Sequence, residues 1–246
     1  MRYEEVGRVR AIYRYPVKSM RGEEITEAEL WWHGLNGDRK CAFVRVGARS
    51  GFPWLTGRDI PDMIRYEPRF ADPADPVESR VIVRTPQGLE LPLESEALHR
   101  ELAEQYGGEI ELIKLARGTF DSMSVSMLGV ATLGFLSAAS GVALEPQRFR
   151  PNLLVEADSG EAFAEEGWIG ARVIFGDRED SAAVTLQRRN VRCMMITLDP
   201  ATAQAAPQVL RTVARERDTM AGIYGSTERP GTIRAGDSIR LVRPSQ

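Results

Sequence analysis

Cysteine and histidine are scarce here, with two of each in 246 residues. Cys41 and Cys193 cannot form a disulfide framework for a chain of this size. They cannot supply the four thiolates of a common iron–sulfur cluster. With two histidines they nearly exclude a Cys/His zinc site. Any electron relay must therefore lie outside the chain or use something other than a cluster. Long apolar runs are also missing: nothing approaches the roughly 18 residues of a membrane span, and the polar opening MRYEE lacks the core of a secretory signal. The expectation is a cytoplasmic protein with no membrane partner. A basic excess is absent too. The formal net charge of -3 argues against a general nucleic-acid binder.

Hydrophobic residues make up 43% and charged residues 27%, enough to bury one large domain or two intimately packed ones. Short strands with turn punctuation dominate. Val9, Ala11 and Tyr13 alternate with arginines, as in a half-buried strand. Further strands are expected at 39–46, 80–85, 89–93, 110–115, 152–157, 172–175, 182–187, 191–197 and 238–242. Ser95 can cap a helix carrying Leu98, Leu102 and Tyr106 and closed by Gly107. Residues 129–140 form a second helix ending at Gly141, and Pro207 opens a third. Helices alternate too rarely with strands for a doubly wound sheet. The expected class is mainly β with accessory helices (α+β), as barrels or strongly bent antiparallel sheets. A soft boundary falls near 117–121.

Four segments can carry chemistry. Residues 15–22 (YPVKSMRG) end the first strand and offer the Lys18 ammonium and the Ser19 hydroxyl to an oxyanion, the alternative being a solvated turn. Residues 34–39 (GLNGDR) make a tight turn delivering Arg39, either into a pocket or into a surface pair with Asp38. In RFRPN, Arg148 and Arg150 on extended chain would share a face, and with Asn152 they can read an anion or a heterocycle edge, the alternative being a surface strand edge. In QRRNVRC, Arg188, Arg189 and Arg192 precede Cys193. Guanidinium neighbours favour the thiolate, which is the metal ligand, while a small core residue is the bland alternative. Asp121 and Ser122 could cap a following helix, whose N-terminus suits an anion. Cys41, in an apolar strand, reads as packing.

Together and in this order, the segments resemble the MOSC superfamily, named for the C-terminal domain of molybdenum cofactor sulfurase, in its amidoxime-reducing branch. YPVKSMRG, GDR at 37–39, RFRPN with Trp168 and Gly170, Arg192-Cys193 with Thr197, Asp199 and Pro200, and PGTIRAGD at 230–237 carry the likeness. It implies an N-terminal β-barrel-like domain (1–117) packed on a MOSC β-barrel (118–246), with a molybdenum cofactor, a pyranopterin carrying molybdenum, between them. The family's phosphate contacts map to Lys18, Ser19 and Arg39. Its pocket positions map to Asp121, Ser122, Arg150, Asn152 and Arg192, and its metal ligand to Cys193.

Two functions follow from the resemblance. The first is a molybdenum oxidoreductase that removes oxygen from small N-hydroxylated compounds, with electrons from an external flavin or iron–sulfur reductase. The second is a carrier of the cofactor or of sulfur, without redox turnover. A plain anion-binding barrel stands third.

Overall fold

The computed structural model describes residues 3–115 and 117–243. Met1 and Arg2, the start of the polar N-terminal stretch, lie outside them. The chain opens with β1 (Glu4–Arg14), β2 (Glu23–Ile25), β3 (Glu27–Trp31) and β4 (Gly34–Leu35). Then come β5 (Cys41–Arg45), β6 (Glu67–Phe70), β7 (Val81–Arg84), β8 (Glu90–Pro92), helix α1 (Glu96–Tyr106) and β9 (Ile110–Lys114). The second half holds β10 (Val125–Gly129), α2 (Val130–Ser140), the one-turn α3 (Pro146–Phe149), β11 (Leu153–Ala157) and β12 (Arg172–Phe175). Last are β13 (Ala183–Val191), α4 (Pro207–Arg217), β14 (Met220–Arg229), β15 (Gly231–Arg234) and β16 (Ser238–Val242).

Seven of these strands close a barrel in the order β11-β10-β14-β13-β12-β16-β1, with β1 returning to β11. Closure removes the free edges that an open sheet would expose. All the ladders are antiparallel except β10–β11. The barrel fills with Ile12, Val125, Leu153, Val173, Val184, Ile223 and Ile239 from alternating positions. Burying such a side chain contributes about 1.5–3 kcal/mol. The first strand of the chain is thus built into the barrel of the second half, and β3 pairs with β15.

Residues 41–114 form a second lobe around Phe43, Leu55, Met63, Tyr66, Phe70, Val83, Leu98 and Leu102. Its helix α1 is locally specified. Ser95 Oγ accepts from the Leu98 amide, and Gly107 takes the left-handed conformation at the end. A third core, with Leu136, Phe149, Val209 and Val213, lies under α2 and α4.

Three expected elements differ. The strand expected at 191–197 ends at Val191, and Met194–Thr197 turns as a 3-10 helix. Ile196 and Thr197 are buried there against the third core, which needs a turn and not an outward-running strand. No helix follows Asp121 directly. The chain enters β10, whose five residues are all buried between β11 and β14, so Asp121 and Ser122 cap nothing. The arginines of RFRPN are not on extended chain either. Arg148 lies in α3, which Pro146 starts, and Arg150 closes it at φ 52, ψ 45. Pro151 disfavours the right-handed helical region for Arg150, and the left-handed region ends the helix there.

Candidate functional site

A cleft of about 500 Å³ lies where the second lobe meets the barrel rim. Lys18, Ser19, Arg39, Asp121, Ser122, Arg150, Asn152, Arg192 and Cys193 all line it. Residues from five separate stretches of chain therefore converge on one place. Phe52, Thr56 and Arg58 join them from the second lobe. Eight lysines and arginines line the walls against the single carboxylate of Asp121. Such an imbalance focuses a positive potential and selects an anionic ligand.

The turn after β1 is not solvated. Lys18 and Ser19 are buried, and Lys18 Nζ donates to the Thr119 carbonyl at 2.7 Å and pairs with Asp121. Burial lowers the Lys18 pKa, and Asp121 opposes the shift. The Asp38–Arg39 pair is not at the surface. The Asp38 carboxylate is fully enclosed, accepting from the Tyr15 amide at 2.8 Å, from Asn152 Nδ2 at 3.0 Å and from Arg39. Burial is the largest single influence on Arg39 and opposes its charge, but Asp38 together with Tyr15 and Tyr224 turns the net shift upward.

Arg148 and Arg150 point in different directions. Arg148 donates to the Thr197 carbonyl and to Asp199, both at 2.8 Å, and so ties down the loop that follows Cys193. Arg150 crosses to the Met20 carbonyl at 2.5 Å and stacks on the Tyr15 ring. Burial and the neighbouring Arg39 lower the Arg150 pKa to about 10, so it stays charged at neutral pH. The Asn152 amide is committed to the protein: its oxygen accepts from the Ser126 amide and hydroxyl, and its nitrogen donates to Asp38 and Tyr13. It braces the cleft and has no free fork for a heterocycle.

Cys193 is exposed, beyond the end of β13 and just before the 3-10 turn. The three arginines before it do not aim at the sulfur. Arg192 is turned inward, Nε to the Ala221 carbonyl at 2.8 Å and Nη1 to the Phe149 carbonyl at 2.7 Å. Burial lowers its pKa to about 10. Arg189 pairs with Glu166, and Arg188 donates to Ser122. Cys41 is buried in β5, as its apolar strand suggests.

Ser19, Arg39 and Arg150 have φ of 64°, 50° and 52°. Left-handed backbone at residues other than glycine is held only where the surroundings over-determine it, and it clusters at binding sites. Tyr15 and Asp38 do not line the cleft but lie behind it, against Arg39 and Arg150, which do. Tyr15 looked like the end of a strand and Asp38 like half of a surface pair.

Among the described residues, no group of three or more His, Cys, Asp or Glu could hold a metal ion. A metal here would have to come with an organic group that supplies most of its ligands, and the donor set fits one. Arg148 Nε, Arg150 Nη2 and Arg192 Nη2 are buried with no protein partner, all three residues line the cleft, and one exposed thiol lines it too.

Comparison with known proteins agrees with this layout. Residues 6–114 match the MOSC N-terminal beta barrel domain, and residues 120–240 match the MOSC domain. The chain belongs to the MOSC family. Membership gives it a molybdenum-cofactor-associated function. It is 25% identical to mitochondrial amidoxime reducing component 2 of Bos taurus, over 97% of this chain and 84% of that protein. The fold is similar to that of the YUAD protein from Bacillus subtilis, with a TM-score of 0.54, 16% identity and 99% of each chain covered.

Proposed function

We propose that this MOSC protein holds a molybdenum cofactor in the cleft and reduces small N-hydroxylated compounds with electrons from an external flavin or iron–sulfur reductase. One observation carries the reading: a single exposed thiol, Cys193, lines the same cleft as eight cationic side chains. A cation-lined wall suits the phosphate of a pyranopterin, and an accessible thiolate suits a soft or high-valent metal. Lys18, Ser19, Arg39 and Arg150 would hold the phosphate end, and Cys193 would ligate the metal.

When bound, the cofactor supplies the two-electron chemistry that takes oxygen from nitrogen. The residues of the chain bind and orient. Arg148 fixes the loop after Cys193 through Thr197 and Asp199, which limits the positions the sulfur can take. Phe52 narrows the approach from the second lobe. Two cysteines leave no room for an internal cluster, so electrons must enter from outside. The bovine relative's designation as a reducing component is in keeping with that.

The test is the molybdenum-to-protein ratio after expression in a cofactor-making host fed molybdate, for wild type and Cys193→Ala together. Turnover of an amidoxime with a chemical electron donor is measured on the same samples. A ratio near one with turnover in the wild type, and clear loss of both in the variant, supports the proposal. Equal metal in both proteins removes Cys193 as the ligand. Metal without turnover, but with transfer of the cofactor to an apo-enzyme, replaces the reductase with a carrier.

A further inference from the structure

Tyr15 is fully buried at the junction of barrel and second lobe. Two guanidiniums stack on its ring, Arg39 at 4.6 Å and Arg150 at 4.3 Å from the centroid. Two like charges so close repel, so something other than solvent must hold them. The phenol hydroxyl donates to the Pro151 carbonyl at 3.0 Å, anchoring the ring beside Arg150. Arg39 Nη2 donates to the Arg150 carbonyl at 3.1 Å, and Asp38 neutralises Arg39. Both arginines sit on left-handed backbone. At position 22 even a methyl group would collide with the Tyr15 ring, at 2.5 Å from its Cε1. Glycine there leaves the space the ring fills. One Nη of Arg150 remains buried without a protein partner.

We propose that Tyr15 is a positioning residue, a shared platform that holds Arg39 and Arg150 as a two-pronged clamp on a phosphate ester, with Gly22 shaped to seat its ring. The proposal rests on the reading of the cleft as an anion site. A planar guanidinium can lie flat on a ring and still present its edge to phosphate oxygens, whereas a lysine ammonium cannot. The clamp is thus set before the ligand arrives, and a pre-organised site loses less entropy on binding.

The experiment is calorimetric titration of inorganic pyrophosphate into cofactor-free protein, with a thermal unfolding trace for each variant. Tyr15→Phe keeps the ring face and loses only the bond to the Pro151 carbonyl, so it should weaken binding clearly less than Tyr15→Leu. Tyr15→Leu and Arg150→Lys should each weaken binding by at least tenfold, on the order of one decade per 1.4 kcal/mol. Arg150→Lys matters most because it preserves the charge. A site that merely collects charge would keep its affinity. Gly22→Ala, which displaces the ring without touching a charged group, should also weaken binding. If Tyr15→Leu does not fold, Arg150→Lys and Gly22→Ala decide. Retention of affinity in both, or no pyrophosphate binding by the wild type, overturns the proposal. The molybdenum ratio is independent of this titration, so a clamp without metal and a metal site without a clamp give different results.

Discussion

The Asp38 carboxylate receives the side-chain amide of Asn152 at 3.0 Å, joining the turn before β5 to the start of β11 across the floor of the cleft. Asp38 also neutralises Arg39, and no part of its carboxylate reaches solvent. Breaking a buried pair from one side leaves an uncompensated charge, which costs about 3–5 kcal/mol. Asp38→Ala should therefore lower the urea unfolding free energy by an amount in that range. Asp38→Asn, which keeps an acceptor for the Tyr15 amide, should cost less. An alanine variant within about 1 kcal/mol of wild type would show that the pair is not holding the junction.

A second carboxylate sets a pH dependence. Glu165 is buried and accepts from the Gly129 amide at 3.0 Å and from the Thr132 hydroxyl at 2.9 Å. It occupies the N-terminus of α2, where Gly129 has no capping side chain. Burial raises its pKa, with the hydrogen bonds from Gly129 and Thr132 opposing. The folded state therefore keeps this proton after the unfolded state has lost it. Stability falls as pH rises from the ordinary glutamate value of 4.5 to the raised one, and is level above. Glu165→Gln cannot titrate. The stability of wild type relative to this variant, from urea midpoints between pH 4 and 8, should drop through that window and then flatten. A difference that does not change with pH would contradict the assignment.

The fold class was legible because barrel strands alternate and turns are punctuated. Arg172–Phe175 and Ser238–Val242 stand where the pattern put them. Ser95 and Gly107, with the apolar face of Leu98, Leu102 and Tyr106 between them, mark α1. The strand β10 was not legible. All five of its residues are buried, so it lacks alternation and merges with the apolar stretch of α2. The candidate residues could be gathered from the motifs, but the directions of their side chains could not. Arg192 follows one residue before Cys193 yet turns to Ala221 and Phe149, because a strand end sends neighbouring side chains to opposite faces. Tyr15 bears on the site only through packing against Arg39 and Arg150, which are remote in sequence.

Gly222 lies in β14 at φ 72, and a Cβ there would be 2.4 Å from the Met127 carbonyl oxygen and 3.2 Å from Arg192 Nη2. The close approach of β10 to β14 and the seat of the Arg192 guanidinium both depend on its missing side chain. Gly222→Ala brings left-handed strain together with a backbone collision. Destabilisation of about 2 kcal/mol or more is expected, as for other special backbone positions. Ala221→Gly, next to it, removes one methyl group and should cost less. Urea unfolding of both variants ranks the two positions, and the reverse order would mean that the strands separate easily at this point.

The two cysteines differ in a way that a single reagent can read. Burial pushes the Cys41 thiol up to about 11, so at pH 8 it is neutral as well as enclosed in β5. Cys193 is exposed on the cleft. Thiolate and access together set alkylation rates. Brief treatment of cofactor-free protein with iodoacetamide at pH 8 should label Cys193 and leave Cys41 unlabelled until urea is added. Peptide mapping identifies the site. Cys193→Ala should change folding stability by no more than about 0.5 kcal/mol, as for an exposed position away from structural features. A metal-loaded sample extends the comparison, since a thiol bound to metal is withdrawn from the reagent. Protection of Cys193 in loaded protein, lost on metal removal, ties the thiol to the ligand without recourse to turnover. Equal labelling in loaded and metal-free protein would leave the thiol outside the metal's coordination.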